Sequence, residues 1–299
     1  MQLDLFEDNR PNILLNIAEE YLRGEELEKA LATCQQVLEE YPQNRHALEL
    51  FILIRKWHGI ITGIHPPSCE PEQLKNIRDD LESVSHTALK SAVINRLIIL
   101  LQTFPEPDHI YLPPRFHLGR LLLDSGRFTE AYKSFSNALN SPDAPRGRFL
   151  AWSADALTLA GRAEDAVNVY QQAFLEDPET VEMGYIRHQG IMKLHLHCSL
   201  QADGIEDDGE APWLPVWGWM QGVFSLPLHN PPVFDELETL ANNQSLPNPR
   251  LWFLLLTAAE YLRSIKRDDR QMASVRRLMK RLNSDMFESY LQKIRGTGQ

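Results

Sequence analysis

The chain has 299 residues, 43% of them apolar and 24% charged, and carries a formal net charge of −11. Those proportions sit near the globular average and exclude only the extreme compositional classes. The longest apolar runs, such as Leu97 to Leu101, fall far short of a membrane span, and the opening residues lack a basic or apolar leader region. A cytoplasmic protein with no membrane contact is therefore expected.

Cys34, Cys69 and Cys198 are odd in number and form no Cys-x-x-Cys pair, so reduced thiols are expected rather than a disulfide framework or a zinc ribbon. An N-terminal peptide, residues 1–10, begins with Gln2, Leu3, Asp4, Leu5 and Phe6. Asn9 suits a helix cap and Pro11 a first helical turn, which places a helix start only a few residues after Phe6.

Residues 11–182 then carry an internal repeat, in stretches from Ile17 to Pro42, Phe116 to Pro142 and Ala151 to Pro178. Ala18, Gly119 and Ala154 are each followed twelve residues later by an alanine, at Ala30, Ala131 and Ala166. Four residues beyond come Cys34, Phe135 and Tyr170, and three further on Val37, Ala138 and Ala173. Small residues at these offsets let two antiparallel helices approach closely, while the larger side chain fills the gap to a neighbour. Gly24, Gly126 and Gly161 are read as the turn residues that need positive φ. Residues 45–104 read as two degenerate helix pairs, with apolar helical runs at His46 to Ile61, Glu72 to Val84 and Ala88 to Phe104 and breaks at Pro66, Pro67 and Pro71.

On these residues the chain resembles the tetratricopeptide repeat family, most closely over residues 112–180, where Arg115 and Leu150 replace the motif's first-helix tryptophan. The resemblance implies an all-α fold, a TPR-like helical-hairpin solenoid with a C-terminal helical subdomain. It also implies a concave groove that holds a protein or peptide ligand.

The resemblance stops near Met183, and residues 183–299 read as the C-terminal helical subdomain. His188, His195, His197 and Cys198 cluster there, but no further ligand completes a metal site at recognised spacing, so a half-buried helix with histidines at its edge is expected. An acidic loop follows with Asp203, Glu206, Asp207, Asp208 and Glu210. The segment from Pro212 to Pro232 holds Trp213, Trp217, Trp219 and Phe224 among prolines that forbid a long helix, and internal packing is the expected fate of its indoles. Three helices are predicted after it, near Pro232 to Asn243, Pro249 to Ser264 and Asp268 to Ile294.

Residues 250–299 hold eleven Lys or Arg against five Asp or Glu, a local excess of +6 that leaves −17 on the rest. The acidic body disfavours nucleic acid as a direct ligand. Arg276, Arg277, Lys280 and Arg281 lie one and four apart on one helical face. They read as a solvated outer face, as partners of the acidic loop, or as a local exception to that repulsion.

Gln2-Leu3-Asp4-Leu5-Phe6 resembles the bacterial sliding-clamp-binding motif at all five positions. In that resemblance Leu5 and Phe6 fill an apolar pocket, Leu3 a neighbouring one, and Gln2 bonds at the rim. The same apolar side chains could instead fold back and cap the first repeat. No phosphate loop, dinucleotide fingerprint, nucleophile elbow or paired-histidine motif is present, so neither enzymatic activity nor any cofactor or metal is assigned. Two readings stand: an adaptor tethered to the sliding clamp, or a general scaffold for another bacterial assembly with a capping N-terminus.

Overall fold

The computed structural model describes residues 9–64, 69–201, 211–231, 233–243, 246–265 and 269–296. It is all-α apart from one two-stranded ribbon among those residues. The chain forms two compact units, Met1–Asn137 and Ala138–Gln299, whose boundary falls at the end of a helix.

In the first unit, α1 (Arg10–Arg23) and α2 (Leu27–Glu40) form a hairpin, followed by α3 (Arg45–Thr62), α4 (Pro71–Leu81) and α5 (Thr87–Leu101). Local chemistry sets several of these starts. Pro11 sits in the first turn of α1, the Asn44 side chain accepts from the Ala47 N–H at 2.9 Å, and the Glu70 N–H donates to the Gln73 side chain at 3.3 Å. Helix α5 buries Leu89, Ala92, Val93, Ile94, Leu97, Ile98, Leu100 and Leu101, and it packs on α1, α3 and α4. A helix with apolar residues over most of its circumference is largely enclosed by neighbours, and each of its fully buried Leu or Ile side chains contributes about 2 kcal/mol.

Residues 45–104 thus hold three helices, not the two pairs the sequence predicts. The chain then makes a ribbon of β1 (Tyr111–Leu112) and β2 (Phe116–His117) before α6 (Leu118–Asp124) and α7 (Phe128–Ala138). Pro113 and Pro114 close the ribbon, so Arg115 lies in its turn and not in the first helix of a repeat. His117 ends the ribbon and caps α6. Its Nδ1 accepts from the Gly119 N–H at 3.0 Å, which leaves Nε2 to donate to the Asp108 carbonyl at 2.7 Å. The ring is fully buried against Phe135, and burial pushes its pKa down to about 4.

The second unit begins with the hairpin α8 (Arg146–Leu159) and α9 (Ala163–Glu176), then α10 (Gln189–Gln201) and α11 (Leu214–Met220). Four helices complete it, α12 (Phe234–Asn243), α13 (Asn248–Ser264), α14 (Asp269–Leu282) and α15 (Ser284–Gly296). The aromatic segment packs internally as expected. Trp213 and Trp217 are buried, α11 packs on α9 and α13, and Trp213 meets the Trp252 ring edge-on at 6.4 Å. Gly218 permits this packing, because a Cβ there would lie 2.0 Å from the Phe224 ring. The α8–α9 hairpin therefore shares a core with the C-terminal helices, which explains why the unit boundary precedes it. The last predicted helix is two helices, since Asn283 breaks it and its side chain accepts from the Met286 N–H at 2.9 Å.

Candidate partner-binding surfaces

All the repeat positions are buried in the three hairpins. Ala18, Ala30, Cys34 and Val37 are inaccessible in the first, Ala131, Phe135 and Ala138 essentially so in the second, and Ala154, Ala166, Tyr170 and Ala173 in the third. Gly119 completes the second, where a Cβ would lie 2.6 Å from the Phe135 ring.

The three turns are also alike. Glu26, Arg127 and Arg162 donate backbone N–H groups to the carbonyls of Tyr21, Leu122 and Leu157 at 2.8, 2.9 and 2.9 Å. This is the helix-ending motif that needs one left-handed residue. Gly126 and Gly161 supply it, each at φ 80°. In the first hairpin it is Glu25, at φ 64°, and not Gly24, whose φ is −82°. Counting back five residues from Ala30, Ala131 and Ala166 reaches Glu25, Gly126 and Gly161, so Gly24 was one residue out of register.

Covering elements decide which hairpin faces remain accessible. In the second unit α8 is buried from Phe149 to Leu157, and the Asp155 carboxylate accepts from the Tyr170 hydroxyl and from the Arg187 N–H at 2.7 Å. In the first unit α5 lies along α1, with His86 Nε2 2.7 Å from Glu19 Oε1 and the Asn95 amide donating to Glu25 at 2.7 Å.

Beside α5 a cavity of about 460 Å³ stays open between the first turn of α2, the end of α3 and the second half of α5. Leu27, Ile61, Ala92 and Ile99 give it apolar walls, and Glu25, Glu26, Glu28, Lys29, His58 and Arg96 form its lip. Glu26 pairs with Lys29, and His58 Nε2 lies 3.6 Å from Glu28. Its size is that of a small-ligand or side-chain pocket. Nothing in the repeat pattern pointed to it, because α5 lies outside the repeat. On the same unit Ile13, Leu48 and Ile52 are exposed apolar side chains.

The other sequence-derived sites fare differently. Gln2, Leu3, Asp4, Leu5 and Phe6 lie outside the described residues, as does the acidic loop from Asp203 to Glu210. His188 caps α10, where its Nδ1 accepts from the Ile191 N–H at 3.3 Å, and burial lowers its pKa. His197 packs edge-on against Trp217, and Cys198 is buried. Among the described residues no three His, Cys, Asp or Glu side chains converge as metal ligands.

Of the four basic residues that the sequence places on one face of α14, Arg277, Lys280 and Arg281 are exposed, but Arg276 is half-buried. It turns inward to the Tyr290 hydroxyl, which itself donates to the buried Glu260 carboxylate at 3.0 Å. Arg276 thus leaves the outer face because it borders the side of α14 that buries Val275, Leu278 and Met279.

Among the described residues no helix is long and apolar enough to cross a membrane. No curated protein and no solved structure matches the chain. The tetratricopeptide repeat family matches residues 13–44, a span that lies within the α1–α2 hairpin and its exit turn. The match covers this one hairpin, and a tetratricopeptide repeat suggests a surface for protein–protein interaction.

Proposed function

We propose that this protein is a non-enzymatic adaptor that joins partner proteins and is tethered to the bacterial sliding clamp through Gln2, Leu3, Asp4, Leu5 and Phe6. The observation that carries this reading is the five-position match of that peptide, set immediately ahead of a tetratricopeptide hairpin. Only Glu7, Asp8 and Asn9 separate Phe6 from Arg10, the first residue of α1, so a clamp bound there would lie close to the first unit. The cavity beside α2, α3 and α5 is the place for a second partner's apolar side chain.

The test is the variant Leu5→Ala/Phe6→Ala in a pull-down with purified sliding clamp, run beside thermal unfolding. Loss of the clamp with unchanged unfolding supports the tether. A stability loss of about 2 kcal/mol or more, the cost of emptying buried Leu and Phe sites, makes the peptide a cap instead. That second reading, a general scaffold for another bacterial assembly, is favoured by Ile13, an exposed apolar side chain at the start of α1 that such a cap would cover.

A further inference from the structure

The outer face of α14 is a cationic strip. Arg277, Lys280 and Arg281 are exposed and fall within little more than one helical turn, so their charged ends neighbour one another. Asp269, at its first residue, is the helix's one acidic position. Among the described residues no ion pair joins any of the three cations to a carboxylate. Three helices, α12, α13 and α15, pack against α14, and two of them carry exposed carboxylates, with Glu236 and Glu238 on α12 and Asp285 and Glu288 on α15. The exposed cations thus lie on a surface about one helix wide, roughly 10 Å, and of the helices packed against α14, α12 is acidic.

We propose that this strip docks an acidic segment of a partner protein, whose Asp or Glu carboxylates pair with Arg277, Lys280 and Arg281. Charge complementarity selects the occupant. Guanidinium groups grip carboxylates through two parallel N–H bonds, and an extended peptide is narrow enough to lie along a strip one helix wide. A nucleic-acid duplex is wider than the strip and carries about one negative charge per 1.7 Å, so the net charge of −11 repels it more strongly at long range than it repels a short acidic peptide. The inference extends the protein-binding reading to a second surface and does not depend on the N-terminal peptide.

The experiment is fluorescence anisotropy of the full chain with a labelled oligoglutamate peptide and, separately, a labelled DNA duplex, at low and high salt. Saturable peptide binding is expected, weakened about tenfold or more by Arg277→Gln/Lys280→Gln/Arg281→Gln and by high salt. The charge-retaining Arg277→Lys/Arg281→Lys variant should keep most of that binding, with no saturable binding of the duplex to any form. Absence of peptide binding, equal binding by the triple variant, or tighter binding of the duplex than of the peptide overturns the proposal. Clamp binding measured on the same preparations should be untouched by the triple variant, so failure of the strip and failure of the tether are read separately.

Discussion

The α1–α2 and α8–α9 hairpins bury the same repeat positions and end their first helices with the same turn, yet they present opposite surroundings. Helix α8 is enclosed from Phe149 to Leu157, and α9 shares its core with α11. The first hairpin borders an open cavity and keeps exposed apolar side chains at Ile13, Leu48 and Ile52. The surface charge is also inverted. Arg162 pairs with Asp165 at the start of α9, whereas at the matching positions of α2 Glu26 pairs with Lys29. A repeat pattern encodes contacts inside a hairpin, and the elements outside the repeat decide whether a binding surface remains.

The sharpest way to test the shared interior is to empty the same position in each hairpin. Tyr170→Ala and Phe135→Ala should each cost about 3–5 kcal/mol, as large aromatic deletions in cores do. Cys34→Ala at the matching position should cost only about 1 kcal/mol, because far less apolar surface is lost. Denaturant unfolding, followed with site-resolved hydrogen exchange to separate the two units, measures the difference. Equal losses in all three would mean that the hairpins are not equivalent inside.

A pH titration addresses the ribbon that separates the second hairpin from the first. His117 is buried neutral with a pKa pushed down to about 4, against 6.5 for the free group. Between those values unfolded chains bind a proton that folded chains refuse, so stability is complete above pH 6.5 and falls as pH drops towards 4. The loss should be on the order of 3 kcal/mol, and His117→Asn should flatten that segment of the stability–pH curve. A wild-type curve already flat between pH 6.5 and 4 would contradict this environment.

The turn comparison predicts the smallest effects. Gly126→Ala and Gly161→Ala should each destabilise by about 1 kcal/mol, because a Cβ is strained at positive φ. In an Asn95→Ala background, where the hydrogen bond to Glu25 is already gone, Glu25→Gly should stabilise by about 1 kcal/mol for the converse reason. No gain in that background would mean that the left-handed Glu25 is unstrained.

The hairpins were legible because Ala18, Ala30 and their counterparts recur at fixed offsets, and burial at those positions is a property of two adjacent helices. The turn residue of the first hairpin is Glu25 and not the neighbouring glycine, because the distance to Ala30 sets the turn register. The break at Asn283 was hidden because helical spacing continues through Ser284 and Asp285, although an Asn followed by Ser and Asp is itself a start signal. The inward turn of Arg276 depends on Tyr290 and Glu260 from two other helices, and the cavity depends on α5 lying against α1 and α3. Such long-range pairings leave no local periodicity to find.

The N-terminal peptide decides the adaptor reading, and calorimetric titration of the purified protein into purified bacterial sliding clamp tests it most directly. Saturable binding is expected, competed by a synthetic peptide spanning Met1 to Arg10 and abolished by Leu5→Ala/Phe6→Ala, with the melting temperature of the variant unchanged. Absence of binding by the wild-type chain, or equal binding by the variant, would contradict that reading.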